Sequence, residues 1–362
     1  MIAGDSMTLF DLSQNSIWLN FLLFSLFAVG VWYAGSKLSL YVDLIADRTG
    51  IGQAFAGALL LGGATSLPEL ATTISASASG AAELAGNNLL GGVAMQIAVL
   101  AGMDVICLRN RPLTFFSPKS ALILQGIFLI LMLSLVSMIL VSGELITWAG
   151  IGLWPVMLSV MYGFGLWSFH RYEGDPRWEP TGELEQPPES SRDLKDVHQA
   201  EYQSVSTRGI ILWFSLAACG VLFCGYLVAR TGEVLAEQTG LGQSLIGATL
   251  VALATSLPEV STTWSAIRFG AYSMAVANIL GTNVLEVVLF LPADIAYRDG
   301  SIIEAMDPSA SFLAALGIVL TSIYLWGILE RRDRTILGMG YDSALILLFY
   351  LGGMGLYYTL SI

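Results

Sequence analysis

The sequence predicts an all-α polytopic membrane protein of ten transmembrane helices, arranged as two inverted five-helix repeats. Three observations carry that prediction. The 362-residue chain is 55% hydrophobic and 12% charged, with a mean hydropathy of +0.70. Apolar runs of spanning length recur along it, and a bilayer crossing takes about 20 mostly apolar residues. Shifted by 190 residues, the chain also aligns with itself. A soluble domain carries roughly twice this charged fraction, so part of the solvent must be lipid.

The apolar runs place spans near 17–36, 52–78, 84–107, 119–141, 146–168, 209–229, 243–267, 274–296, 309–329 and 342–360. The fifth and sixth are separated by one long polar stretch, 170–207, rich in Pro, Glu, Ser and Asp. Such a composition buries little apolar area and reads as a flexible connector. The chain thus divides into a first five-helix repeat (1–169), the loop (170–207) and a second five-helix repeat (208–362). The segments that repeat most closely are about 49–104 and 239–294.

Basic residues set the orientation. If loops are assigned alternately to two sides, the side opposite the N-terminus collects fourteen Lys and Arg residues. The other side holds only Arg230 and Arg298. Both termini are therefore expected outside the cytoplasm and the long loop inside, in a multi-pass protein of the plasma (inner) membrane. Residues 1–16 have no basic n-region, and the first apolar run is already of spanning length, so no cleavable signal is expected.

Composition also excludes partners. A net charge of −12 argues against nucleic acid, which demands clustered Lys and Arg. Cys107, Cys219 and Cys224 lie in or beside apolar runs, spread too far apart for a metal cluster, and nothing suggests a disulfide framework. Both histidines, His170 and His198, fall in the hydrophilic loop, which leaves none for a site within the membrane. The partners expected are the lipid bilayer and inorganic cations; no cofactor is expected.

The repeat is gapless over its strongest part. TGIGQAFAGALLLGGATSLPELATTISA (49–76) matches TGLGQSLIGATLVALATSLPEVSTTWSA (239–266) at 17 of 28 positions. Farther out, Asp43 and Asp47 fall on Glu233 and Glu237, Asn88 on Asn278, Gly91 on Gly281, and Asp104 on Asp294. Five spans separate the copies, and an odd number of crossings inverts one relative to the other. Inverted repeats related by an axis in the membrane plane build alternating-access transporters, with the substrate site at the repeat interface.

Each copy brings a carboxylate, Glu69 or Glu259, to the middle of a span. There an ionised group costs several kcal/mol, about 2.5–3.5 on insertion scales, unless it meets a partner or water. Pro68 and Pro258 precede these residues, removing a backbone donor and freeing carbonyls one turn back. Thr65, Ser66, Thr255 and Ser256 add hydroxyls, and Gly62 and Gly63 loosen the first copy. The donors are all hard oxygens, which suit calcium, sodium, magnesium or manganese rather than zinc or copper. The third and eighth spans supply the complement. NLLGGVAMQ (88–96) aligns with NILGTNVLE (278–286), which puts Gln96 opposite Glu286. Thr282 lies one turn before Glu286, and Gly92 takes the equivalent place before Gln96. Asn88 and Asn278 read as helix–helix contacts. Asp104 and Asp294, near helix ends, read as interfacial anchors.

At these residues the chain resembles the calcium/cation antiporter superfamily, and within it the prokaryotic sodium/calcium exchangers. That family carries two T-S-L-P-E repeats, each followed by G-S-N-x-x-N/D. The resemblance implies that Glu69 and Glu259 clasp calcium and that Thr65, Ser66, Thr255 and Ser256 are sodium and calcium ligands. It further implies that the carbonyls of Gly62 and Ala252 complete flanking sodium sites. Gln96 and Glu286 match the Asn and Asp that face the glutamates. The departures are Gly92-Val93 in place of Ser-Asn, a methylene more on both Gln96 and Glu286, and Thr282 in place of Ser.

The function expected is secondary-active antiport of a divalent cation, calcium first, held by Glu69, Glu259, Glu286, Thr65 and Thr255 in exchange for sodium. Two alternatives stay open: proton coupling on the same fold, and a non-transporting ion sensor that uses the 170–207 loop as its output. An enzyme is not expected, since the segment lacks a nucleophile–base pair and a His-containing metal motif.

Overall fold

A computed structural model describes residues 12–108, 112–148, 150–176, 178, 197, 200–239, 256–307, 310–331 and 335–360. Two long helices, α1 (Ile17–Thr49) and α7 (Thr207–Gln238), start on serines 190 residues apart. Ser16 Oγ accepts from Leu19 N at 3.3 Å and Ser206 Oγ from Gly209 N at 3.2 Å. Each thus satisfies a donor that the first turn leaves orphaned. Gly50, at φ 70°, closes α1 by donating to the Ala46 carbonyl. The two helices pack along each other, with Cys224 against Gly30 and Gly220 against Ala34. Their outer faces present Trp18, Leu22, Leu26, Leu212, Leu216 and Phe223.

The remaining helices are α2 (Gln53–Thr65), α3 (Leu67–Ala78), α4 (Ala82–Leu108), α5 (Ser120–Ser142), α6 (Leu153–Gly174), α8 (Leu257–Arg268), α9 (Tyr272–Ala296), α10 (Ala310–Glu330) and α11 (Tyr341–Leu360). Among the described residues, α1, α4, α5, α7, α9 and α10 are long and apolar enough to cross a membrane, and the bent pair α2–α3 adds a seventh. Burial ranks them. In the most apolar stretch, 83% of α9 and 67% of α4 is buried, against 17% of α1 and 22% of α7. The middle of the protein is therefore α4 and α9, with α1 and α7 as an outer belt. What marks α9 is its polar content, Asn278, Thr282, Asn283 and Glu286, which a helix facing lipid does not bear.

The structure moves three boundaries. The first helix runs on to Thr49 because Leu38, Val42 and Ala46 remain in the core. The fifth span begins at Leu153, since residues 147–152 fold into a hairpin, Thr147–Trp148 (β1) against Ile151–Gly152 (β2). Its helix continues through His170 to Gly174, so His170 belongs to the helix, where its ring lies 4.9 Å from Phe55. The second half repeats the hairpin as Thr335–Ile336 (β3) against Met339–Gly340 (β4), just before α11.

Asp104 and Asp294 are not interfacial anchors. Both are buried, at 1% and 0% exposure, and each staples the two halves together. Asp104 accepts from Leu113 N at 2.7 Å within its own half, and from Gly340 N at 3.2 Å and Ser343 Oγ at 2.6 Å in the other. Asp294 accepts from Ile302 N at 2.7 Å in its own half and from Gly152 N at 2.6 Å across. A polar carboxylate can stay buried when fixed N–H groups satisfy it. The loops these two residues join are those that alternate assignment puts on a common side.

Candidate ion-binding site

The α2–α3 span is broken by its own sequence. A wide π-turn occupies Gly57–Leu61, ahead of the glycine pair at which sequence reading put the loosening. Ser66, at φ −78° and ψ 0°, ends α2, and Leu67 starts α3 with Pro68 in its first turn, bent by 45°. Proline fits there because a first-turn N–H has no helical partner in any case. Ser256 takes nearly the same backbone angles ahead of Leu257 and Pro258. The halves thus share a helix start that carries a glutamate in its first turn: Glu69 on α3 and Glu259 on α8.

Close backbone approach brings α2 onto α9. A Cβ on Gly57 would stand 2.6 Å from the Met274 carbonyl oxygen, and one on Gly281 would stand 2.6 Å from that of Ala58. Small residues at both surfaces allow this crossing. It delivers a knot of oxygens around the Gly62 carbonyl. That oxygen accepts from Ser66 N at 3.1 Å, Ser66 Oγ at 2.9 Å and Thr65 Oγ1 at 3.1 Å, while Thr282 Oγ1 approaches to 3.5 Å. The hydroxyls of Thr65 and Thr282 lie 3.3 Å apart.

The pseudo-symmetry axis passes between α4 and α9. Gln96 Nε2 donates to Oε1 of Glu286, and Asn283 Nδ2 approaches the Val93 carbonyl at 3.4 Å. In both pairs the partners are 190 residues apart, so each residue meets its own repeat mate.

The three glutamates are buried, with exposures of 5% for Glu69, 0% for Glu259 and 1% for Glu286, and they act on one another electrostatically. Glu69 Oε2, both oxygens of Glu259, Glu286 Oε2, Gln96 Oε1 and Asn283 Oδ1 have no hydrogen-bond partner. Leaving one buried acceptor unsatisfied costs about 1–3 kcal/mol, and more if it is charged. So many orphaned acceptors in one region form an arrangement that a cation would relieve. Among the described residues, no three acidic, His or Cys side chains gather tightly enough to hold a metal between them. A cation held by all three glutamates would therefore have to draw them closer, with the neutral oxygens completing its shell.

The structure thus brings Thr65, Ser66, Gly62 and Thr282 together and sets Gln96 on Glu286. Ser256 is buried at the head of α8. Thr255 and Ala252 lie outside the described residues, as does the rest of 240–255. Asn278 joins helices as expected, donating to Thr262 Oγ1 at 3.0 Å and Thr263 Oγ1 at 3.2 Å. Sequence reading missed two neighbours. Asn283 was legible as a carboxamide in an apolar run. Glu173 had no local signal: it accepts from Ala54 N at 3.0 Å and Phe55 N at 2.5 Å, capping α2 from 118 residues away.

Comparison with known proteins agrees with this architecture. The family profile described as "Sodium/calcium exchanger protein" matches residues 19–166 and 209–357. The inner membrane protein YrbG of Escherichia coli (strain K12) is 26% identical over 304 residues, 84% of this chain and 86% of YrbG. The sodium/calcium exchanger MaX1 of Methanosarcina acetivorans is 35% identical over 122 residues, about a third of either chain: 32% of this one and 34% of MaX1. The solved structure of the sodium-calcium exchanger NCX_Mj superposes with a TM-score of 0.70 at 17% identity, covering 94% of this chain and 99% of that one. A ten-helix, inverted-repeat membrane fold is consistent with that match, and MaX1 and NCX_Mj are both named as exchangers. The chain belongs to the sodium/calcium exchanger protein family, a family of membrane-embedded cation antiporters.

Proposed function

We propose that the protein exchanges a divalent cation, calcium first, for sodium by alternating access. Glu69, Glu259 and Glu286 would carry the divalent ion, with Gln96, Thr65, Ser66, Thr255, Ser256, Thr282 and the Gly62 and Ala252 carbonyls as neutral ligands. The observation that carries this reading is the set of buried, orphaned carboxylate oxygens beside the hydroxyl–carbonyl knot at Gly62. Calcium takes six to eight such oxygens in a flexible cage, and the set present is oxygen throughout. The hydroxyls that now donate to the Gly62 carbonyl would turn their lone pairs toward a bound cation.

Exchange then needs no nucleotide. Sodium and the divalent ion compete for the same oxygens, so occupancy by one excludes the other and each crosses in its own half-cycle. Both termini would face away from the cytoplasm, with the 170–207 connector inside and the protein in the plasma (inner) membrane. The basic residues support that orientation.

The test is calcium uptake into proteoliposomes under a sodium gradient and, separately, under a pH gradient, with Glu69→Gln and Glu259→Gln as controls. Sodium-driven uptake that is lost in both variants is the expected result. Uptake driven only by the pH gradient would move the coupling to protons, and uptake unchanged in either variant would refute the site.

A further inference from the structure

The internal repeat is unequal at one position beside the proposed site. Thr282 stands one turn before Glu286 on α9, with its hydroxyl against Thr65 Oγ1 and the Gly62 carbonyl. Its repeat mate on α4 is Gly92, one turn before Gln96, which offers no side chain. A Cβ at Gly92 would stand 3.1 Å and 3.2 Å from the two carboxylate oxygens of Glu286 and 3.4 Å from its carboxyl carbon. The Glu286 carboxylate therefore lies on the bare α4 backbone. Gln96 holds it through Oε1, and Oε2 is left buried without a partner. A serine or threonine hydroxyl at residue 92 would compete with that carboxylate for the same space.

We infer that Gly92 is a specificity-determining residue: by omitting its side chain, it lets Glu286 put a carboxylate where the other half presents the Thr282 hydroxyl. The two flanks of the site then differ by an acidic ligand. A divalent ion gains twice the Coulomb energy of a monovalent ion from a carboxylate at equal distance, whereas a hydroxyl dipole discriminates far less. The Gly92 flank thus favours a divalent cation, and the Thr282 flank remains a neutral cage. Other glycines also face carboxylates, Gly327 that of Asp342 among them, but the carboxylate over Gly92 is one of the three that form the proposed site.

This inference rests on the antiport reading, and its test separates the two. Calcium binding to the purified protein in nanodiscs is measured by titration calorimetry, with sodium as competitor, for the native protein, Gly92→Ser, Glu286→Asp and the double variant. Gly92→Ser should weaken calcium by about tenfold or more, since it displaces a charged ligand. Sodium should then displace calcium at a lower concentration. In the double variant the shorter acid makes room for the hydroxyl. It should be more stable to heat than the two single changes added together predict, with selectivity still shifted toward sodium. A calcium-to-sodium ratio within about twofold of native in Gly92→Ser would overturn the selectivity role. Additive stability changes would overturn the contact itself. A native protein that binds no calcium, in a series whose stabilities still couple, would overturn calcium as the cargo and the selectivity role with it.

Discussion

Asp294→Asn and Asp104→Asn should destabilise the protein unequally, although the two residues are repeat mates. Asp294 is fully buried, and both its oxygens accept from backbone N–H groups, Ile302 at 2.7 Å and Gly152 at 2.6 Å. An asparagine keeps one acceptor, so in either flip its NH2 confronts a backbone donor that cannot turn away. One hydrogen bond to a carboxylate is worth about 1.5–3 kcal/mol, and the surviving one weakens, which gives a loss of roughly 2–4 kcal/mol. Asp104 has one partner of another kind, since Ser343 Oγ, at 2.6 Å, can rotate and accept from the new NH2. Only the longer bond from Gly340 N, at 3.2 Å, is then orphaned, and the loss falls to roughly 1–2 kcal/mol. At about 2 °C per kcal/mol for a large chain, the unfolding midpoint should drop by about 4–8 °C for Asp294→Asn and about half that for Asp104→Asn. Intrinsic tryptophan fluorescence during a thermal ramp in detergent reads this directly. Equal shifts, a larger shift for Asp104→Asn, or a drop below about 1 °C for Asp294→Asn would refute the donor argument.

Other outcomes follow from the same geometry. Gly281→Ala places a methyl 2.6 Å from the Ala58 carbonyl oxygen. Overpacking of about 1–3 kcal/mol should outweigh the gain in helix propensity, whereas Gly163→Ala on α6, which meets nothing within 4 Å, should not lower the unfolding midpoint. Glu173→Gln leaves one of the Ala54 and Phe55 amides without its acceptor. Hydrogen exchange in a peptide covering 51–57 should rise several-fold, as expected for a cap worth about 1 kcal/mol, and unchanged exchange would show that α2 is capped some other way. Arg48 donates to the carbonyls of Val205 at 2.6 Å and Tyr202 at 2.7 Å. Arg48→Ala should therefore expose the segment just before α7 to limited proteolysis while leaving the helices beyond it protected.

Membrane class, the repeat, the inverted relation of its copies and the residues suspected of holding ions could all be read along the chain. Each is a local or periodic property: hydropathy over a span, identity at a fixed offset, or a carboxylate behind a proline in an apolar run. A duplication also fixes the chemistry of each copy without reference to the other, so Glu69 and Glu259 stood out separately. What the two copies do together depends instead on how they pack. Gln96 and Glu286 form a hydrogen bond because the pseudo-axis passes between α4 and α9, and no offset in the chain says where such an axis lies. Asp104 and Asp294 became staples rather than surface anchors because loops from opposite halves deliver N–H groups to them. Helix length alone leaves that undetermined. Gly92, a missing hydroxyl when read along the chain, acquired a meaning once Glu286 was found resting on it. Composition and period are written along the chain, whereas the partner of a buried polar atom is set by packing between segments distant in sequence.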